Sequence, residues 1–279
     1  INDEEIKKIK EVHKNCKFVL FYNNHRIHID QQNLLSGRSF SERINNIDEI
    51  WLYGHHSDCA QYIKYYHGTD ASVKSVPFLW SPFYINRAKQ KLNLEFNKEL
   101  EPQILVLEPN ENSSKTCLIP LLICESFNMS FGNACASFSL FNTDKIKVNK
   151  GAKELISTFS AAQQNKVFLN KKWKFIDAIS RLGQFILSHN SHNEINNLFL
   201  ESLHLNLPLI HNSKVIKSYG YYYQDHDIRT ASNQIYNAIC NHTENLEVYS
   251  KENQELIRSL SPIESSNVLF FQKITQIFN

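Results

Sequence analysis

Five short apolar runs constrain this chain more than any other feature. They are Lys17–Tyr22 (KFVLFY), Ile47–Tyr53 (IDEIWLY), Gln103–Leu107 (QILVL), Phe185–Ser188 (FILS) and Pro208–His211 (PLIH). Most are apolar on consecutive residues, as strands buried on both faces are. Polar stretches close them, and helix-length segments separate them. Glu4–Lys14 reads as a helix with Ile6, Ile9 and Val12 on one face. Further helices are expected at Ser57–Tyr66, from Cys117, at Phe175–Leu182, Asn193–Leu205, Ile228–His242 and Ser265–Phe278. Val73–Pro77, Ile146–Val148 and Val167–Leu169 are further strand candidates. Alternation of this kind predicts α/β architecture with parallel sheets. Polar residues 86–102 read as a connector, after which the pattern restarts. The predicted organisation is two Rossmann-like domains facing a cleft, 1–100 and 101–262, with a helix at 263–279 packing back on the first. In such sheets ligands bind outside the carboxyl ends of the strands.

Composition narrows the function. Of 279 residues, 42% are hydrophobic and 21% charged, the balance of a folded globular chain. Thirty Lys plus Arg against 28 Asp plus Glu argues against a phosphate-tracking surface, so no nucleic acid partner is expected. The longest apolar run, Cys117–Cys124, is far short of the roughly 20 residues that span a bilayer, so no transmembrane segment is expected. Six scattered cysteines without CxxC spacing fit free thiols in a reducing cytoplasm. No P-loop, GxSxG elbow or His-Glu-x-x-His pattern is present, and no protein-held metal or other cofactor is expected. The oligomeric state stays open.

Three segments carry chemistry. In the loop after QILVL, Ser113, Ser114, Lys115 and Thr116 precede a helix start, where backbone N–H groups and a lysine suit a phosphate. The plain alternative is a capped helix with a solvated lysine. After FILS, His189 and Asn193 fall at a strand end and helix start. Glu194 and Glu201 follow, seven apart, which on one helix would put both on one face. A carboxylate there can take both hydroxyls of a ribose, or simply face solvent. After PLIH, His211, Asn212 and Ser213 offer polar groups for a sugar or phosphate, or cap a following turn. The Tyr221–Tyr223 run suits stacking or packing.

Together these segments resemble a little-characterised bacterial and viral family of GT-B-type glycosyltransferases. The resemblance rests on ILVLEPNENSSKTCLIPLLICE (104–125), FILSHNSHNEINNLFLESLHLNLPLIHNS (185–213), KSYGYYYQDHD (217–227) and IDEIWLYGHHSD…VPFLWSPF (47–83). It implies sugar transfer from a nucleotide-sugar donor to a glycan or other hydroxyl acceptor in cytoplasmic polysaccharide biosynthesis, independent of metal. It implies Glu201 on the ribose, His189 and Asn193 facing the donor, and Lys115 and Thr116 facing the diphosphate. His211, Asn212 and Ser213 form its HNS signature. Two departures stand out. Glu194 occupies a place where an apolar residue or proline is usual, and the first domain is short, as if upstream elements were missing. For an inverting reaction His25 is the expected base, with Asp30 second. The rival reading is a non-catalytic carbohydrate- or partner-binding module on the same scaffold.

Overall fold

The computed structural model describes all residues except 1, 93, 95, 98, 112, 113, 133 and 277–279, and only the backbone of 276. Residues up to Trp80, together with those from Ser259 on, form one compact unit; Ser81–Arg258 form the other.

The first unit is built on a parallel three-stranded sheet ordered β1 (Val19–Tyr22), β2 (Glu49–Tyr53), β3 (Ser72–Val76). Val19 pairs with Glu49, and Glu49 with Ser72. Alternation along β2 sends Ile50 and Leu52 to one face, where they pack with Ile6, Ile47, Cys59 and Ile63. Ile6 comes from the helix Asp3–Val12, which opens on a capping box: Glu5 N–H donates to Asn2 Oδ1, and Asn2 N–H donates to the Glu5 carboxylate, both at 2.9 Å. The helix Ser265–Gln276 belongs to this unit, with Phe271 beside Trp51 at 6.2 Å between ring centres.

The second unit has six parallel strands: β4 (Gln103–Val106), β5 (Ser137–Leu140), β6 (Val167–Leu169), β7 (Phe185–Leu187), β8 (Leu209–His211) and β9 (Tyr221–Tyr222). Their spatial order is β6-β5-β4-β7-β8-β9. The chain winds outward from β4 to β6, then returns to β4's other side and winds the opposite way. The reversal falls between β4 and β7, the switch point at which doubly wound sheets bind ligands. Burial explains the strand sequences: Ile104, Leu105, Val106, Ile186 and Leu187 are all fully enclosed.

Several expectations need correction. Ile146–Val148 lies in a helix, Asp144–Val148, where Val148 points into solvent; three residues are too few to fix a period. The strand Ser137–Leu140 escaped notice because its serines mimic a half-exposed pattern, yet all four residues are buried. The helix expected from Asn193 begins at Asn197, because Asn196 Oδ1 accepts from Phe199 N–H at 3.1 Å and caps it there. Helices Arg26–Ser36 and Leu246–Ser259 were not foreseen. The compact units divide after Trp80, earlier than the composition break near 100. Residues beyond it are tied into the second unit: His204 Nε2 bonds Asn86 Oδ1 at 2.6 Å, and Asn97 N–H donates to Gln184 Oε1 at 2.6 Å.

Candidate functional site

Polar side chains tie the carboxyl ends of four adjacent strands into one belt. It begins at Asn110, whose backbone is left-handed (φ 53°), a conformation asparagine tolerates. Asn110 Nδ2 donates to Phe141 O at 3.0 Å beyond β5, and its Oδ1 accepts from Cys117 N–H at 2.7 Å. Asn142 Nδ2 donates back to Glu108 O at 2.9 Å. Glu108, two residues past β4, is 2% exposed. Its carboxylate accepts from the Ser188 hydroxyl, from His189 N–H and from Asn190 Nδ2 at 3.4 Å, all beyond β7. Asn212 closes the belt beyond β8. Its Oδ1 accepts from Asn190 N–H at 2.9 Å, and its Nδ2 donates to Asn190 O at 3.0 Å.

Charge is scarce here. Burial pushes the Glu108 carboxyl up to about 7, against the pull of Ser188 and Lys115. Burial likewise lowers the Lys115 ammonium, while Glu108 opposes that shift. With its amide oxygen turned toward the lysine, Asn193 accepts from Lys115 Nζ and donates to Ile195 O at 3.0 Å. The loops carrying them are joined by Ser191 N–H donating to Ser114 O at 2.9 Å. His189, 4% exposed, stacks on Tyr223 and meets the His226 ring at a tilt. Burial, then His226, push it down to about 4, so its imidazole is neutral.

Of the residues singled out in the sequence, Lys115, His189 and Asn193 come together at this switch point. Thr116 lies beside them but lines an apolar cavity of about 280 Å³ with Leu118, Leu121 and Ile156. Ser113 lies outside the described residues. Glu201 sits on the helix Asn197–His204, which leaves the carboxyl end of β7. Burial alone pushes its carboxyl up to about 7. Among the described residues nothing bonds that carboxylate. Glu194 does not share its face: it precedes the helix, and its carboxylate accepts from Lys214 N–H at 2.7 Å.

The HNS residues turn out to be occupied by the fold. His211, fully buried and pushed down to about 4 by that burial, donates from Nε2 to Tyr219 O at 2.7 Å. Its Nδ1 accepts from Ser213 N–H at 3.1 Å. The Ser213 hydroxyl donates to Glu194 O. Gly220 completes this clasp: its φ is +66°, and a Cβ there would meet Leu209 O at 2.8 Å and the His211 ring at 3.1 Å. His211, Asn212 and Ser213 therefore shape the loops, with Asn212 spent on Asn190's backbone.

In the first unit His25 and Asp30 diverge. His25 starts the helix Arg26–Ser36, and its Nε2 bonds Asp58 Oδ2 at 2.9 Å. His28 and His56 pack against its ring. Asp30, further along that helix, is engaged through Oδ2, which accepts from Arg26 Nε at 2.7 Å and from Tyr62 OH at 2.8 Å, while its buried Oδ1 has no partner among the described residues. Of the two, His25 carries the hydrogen-bonded His–Asp arrangement suited to proton transfer. His25, Asp58 and Cys59 also bring three donor atoms within 4.8 Å of one another. Burial raises the Cys59 thiol.

A family model described as DUF2827, protein of unknown function, matches residues 1–274. The chain belongs to DUF2827. No curated protein matches it in sequence. In structure it is similar to the pneumococcal O-GlcNAc transferase GtfA in complex with UDP and GlcNAc, with a TM-score of 0.52 and 10% identity over 98% of this chain. It is similar to the trehalose 6-phosphate synthase of Burkholderia multivorans, with a TM-score of 0.55 and 9% identity over 84%. It is also similar to a glycosyltransferase from Rickettsia africae, at 0.52 and 14% over 99%. The chain spans 54% and 61% of the first two proteins and 80% of the third. At such identities the likeness establishes the fold: this DUF2827 chain has the α/β, Rossmann-like build of GT-B glycosyltransferases. No helix among the described residues is long and apolar enough to cross a membrane.

Sequence reading missed two members of the site, Glu108 and Asn190, and named Tyr223 only within a tyrosine run suited to stacking or packing. One pattern could have found Glu108. An acid placed directly after a fully apolar strand, with no basic neighbour in sequence, is an acid the fold must bury or pair.

Proposed function

We propose that this chain transfers a sugar from a nucleotide-sugar donor to a hydroxyl of a glycan or other acceptor, without a metal held by its side chains. The observation that carries this reading is Glu201, a half-buried carboxylate with no bond to any described residue, on the helix that follows the switch point. A ribose diol satisfies such a group, and the fold's likeness to sugar-transferring enzymes supports the same ligand class. Lys115 and the N-terminus of the helix Leu118–Phe131 take the diphosphate. As the bond from the anomeric carbon to phosphate breaks, Lys115 offsets the charge growing on the leaving oxygen. The acceptor oxygen bonds the same carbon and gives its proton to a general base, for which the first unit offers the His25–Asp58 pair. The transition state has the oxocarbenium character of glycosyl chemistry.

The test is a thermal-shift series with UDP, GDP, ADP, CMP and dTDP, each with and without Mg²⁺. A nucleotide at 100 times its Kd adds about 2.7 kcal/mol of stability. One of them is expected to raise the melting temperature equally with and without Mg²⁺. Glu201→Ala should cost about 1–3 kcal/mol of that binding, the value of a buried hydrogen bond to a charged group. No shift with any nucleotide overturns this reading in favour of a carbohydrate-binding module.

A further inference from the structure

His189 and Asn190, adjacent at the end of β7, are 4% and 6% exposed, and each keeps one side-chain atom without a partner among the described residues: His189 Nε2 and Asn190 Oδ1. The surrounding bonds fix the character of both atoms. The Ser188 proton goes to Glu108, so Ser188 Oγ accepts from Asn190 Nδ2 at 2.7 Å. That leaves the Asn190 oxygen as the unpaired end, an acceptor only. The Tyr223 hydroxyl has one proton and two neighbours, His189 Nδ1 at 3.0 Å and the Ser188 carbonyl at 3.3 Å. If the proton goes to the carbonyl, Nδ1–H can donate to the Tyr223 oxygen, and all three buried groups are satisfied. The reverse assignment strands the carbonyl. His189 Nε2 is then a bare lone pair on a neutral ring.

We propose that Asn190 Oδ1 and His189 Nε2 form a paired acceptor site that binds hydroxyl groups of the donor's sugar ring. The proposal rests on the nucleotide-sugar reading above. The oxygens of an esterified diphosphate only accept near neutral pH and would find no proton here. A single carboxylate, Glu108, links the pair to the phosphate-facing Lys115: it bonds Asn190 directly and acts electrostatically on the lysine. The diphosphate carries two rings, and with the ribose assigned to Glu201 the ring left for the acceptor pair is the sugar, while the base is separated from the diphosphate by the ribose. The site therefore selects the transferred group by its hydroxyls.

The test is calorimetric titration of the whole chain with UDP, GDP and dTDP and with UDP-glucose, GDP-mannose and dTDP-glucose. The last three are repeated with single hydroxyls replaced by fluorine, which cannot donate. For the nucleotide that binds, the sugar form is expected to bind at least about tenfold tighter than the diphosphate, and fluorine at one or two neighbouring positions should remove that gain. In His189→Phe, which keeps the ring stack, affinity for the sugar form should fall to that of the diphosphate. His189→Gln, whose side-chain amide reaches the Nε2 position, should recover part of it. A gain that survives every fluorination, or survives in a folded His189→Phe, overturns the acceptor pair. Diphosphate binding with no sugar gain also removes it and leaves the nucleotide-sugar reading standing. Absence of all binding removes both.

Discussion

At the carboxyl ends of β1 and β2 the first unit gathers imidazoles. His25, His28, His55 and His56 pack ring against ring around Asp58. At the carboxyl ends of β4, β7 and β8 the second unit gathers amides, one buried carboxylate and one lysine. The two sets differ in what they can exchange. Imidazoles in contact can hand protons on and adapt their tautomer. Amides locked into each other's backbones move nothing, and they hold a cation and two acceptors at fixed places. One end is a chain of ring contacts leading to the hydrogen-bonded His25–Asp58 pair, the other a frame that keeps its shape.

The widest separation of these roles comes from His25→Ala. With turnover of a sugar nucleotide as the readout, the rate should fall about 10²–10⁴-fold while nucleotide affinity stays put. An equal loss of affinity would merge the two ends into one function. Next comes Glu108→Ala, which strands the Ser188 hydroxyl proton and His189 N–H and removes the longer of the Asn190 amide's two contacts. Denaturant unfolding should register a loss of about 3 kcal/mol. A loss under about 1 kcal/mol would mean the belt is not what fixes the strand ends.

Glu201 sharpens the contrast through pH. Its folded pKa, pushed up to about 7, exceeds the unfolded one, so the folded form binds the extra proton. Its contribution is therefore favourable below about pH 4.5 and is lost as pH rises through 7. Between pH 5 and 8 the ligand-free chain should lose about 2–3 kcal/mol through this group, and Glu201→Gln should flatten that slope. His189, His211 and His242 work in the opposite sense, being held near about 4 and losing stability as pH falls from 6.5 toward 4. The smallest effect is expected from Asp58→Asn. It keeps a partner for His25 but weakens the imidazolium formed in transfer, lowering turnover about tenfold with no change in melting temperature.

Much of the fold was legible because strands buried on both faces leave an unambiguous apolar mark. QILVL, FILS and PLIH became β4, β7 and β8 almost to the residue. Ser137–Leu140 was hidden because buried serines read as exposed ones. The helix after β7 started late because a cap, not a period, set its first turn. In the site, Lys115, His189 and Glu201 stood out by charge and position along the chain. The HNS residues stood out equally, yet their polar atoms are spent on backbone groups. Sequence shows that a residue can bond; only three dimensions show what already occupies it. Glu108 was passed over for the inverse reason: its importance lies in contacts some 80 residues away in sequence.

Asn212 and Asn190 exchange two bonds across neighbouring strand ends, and Glu108 fastens the same corner from the other side. The amide protons of Asn190 and Cys117 are thereby sealed by side chains from distant parts of the chain. Such protons trade with deuterium only when several loops open at once. Their exchange should be slow and nearly synchronous, and a ligand docking there would find a surface that needs little further ordering, so that little of its binding energy is spent on freezing loops.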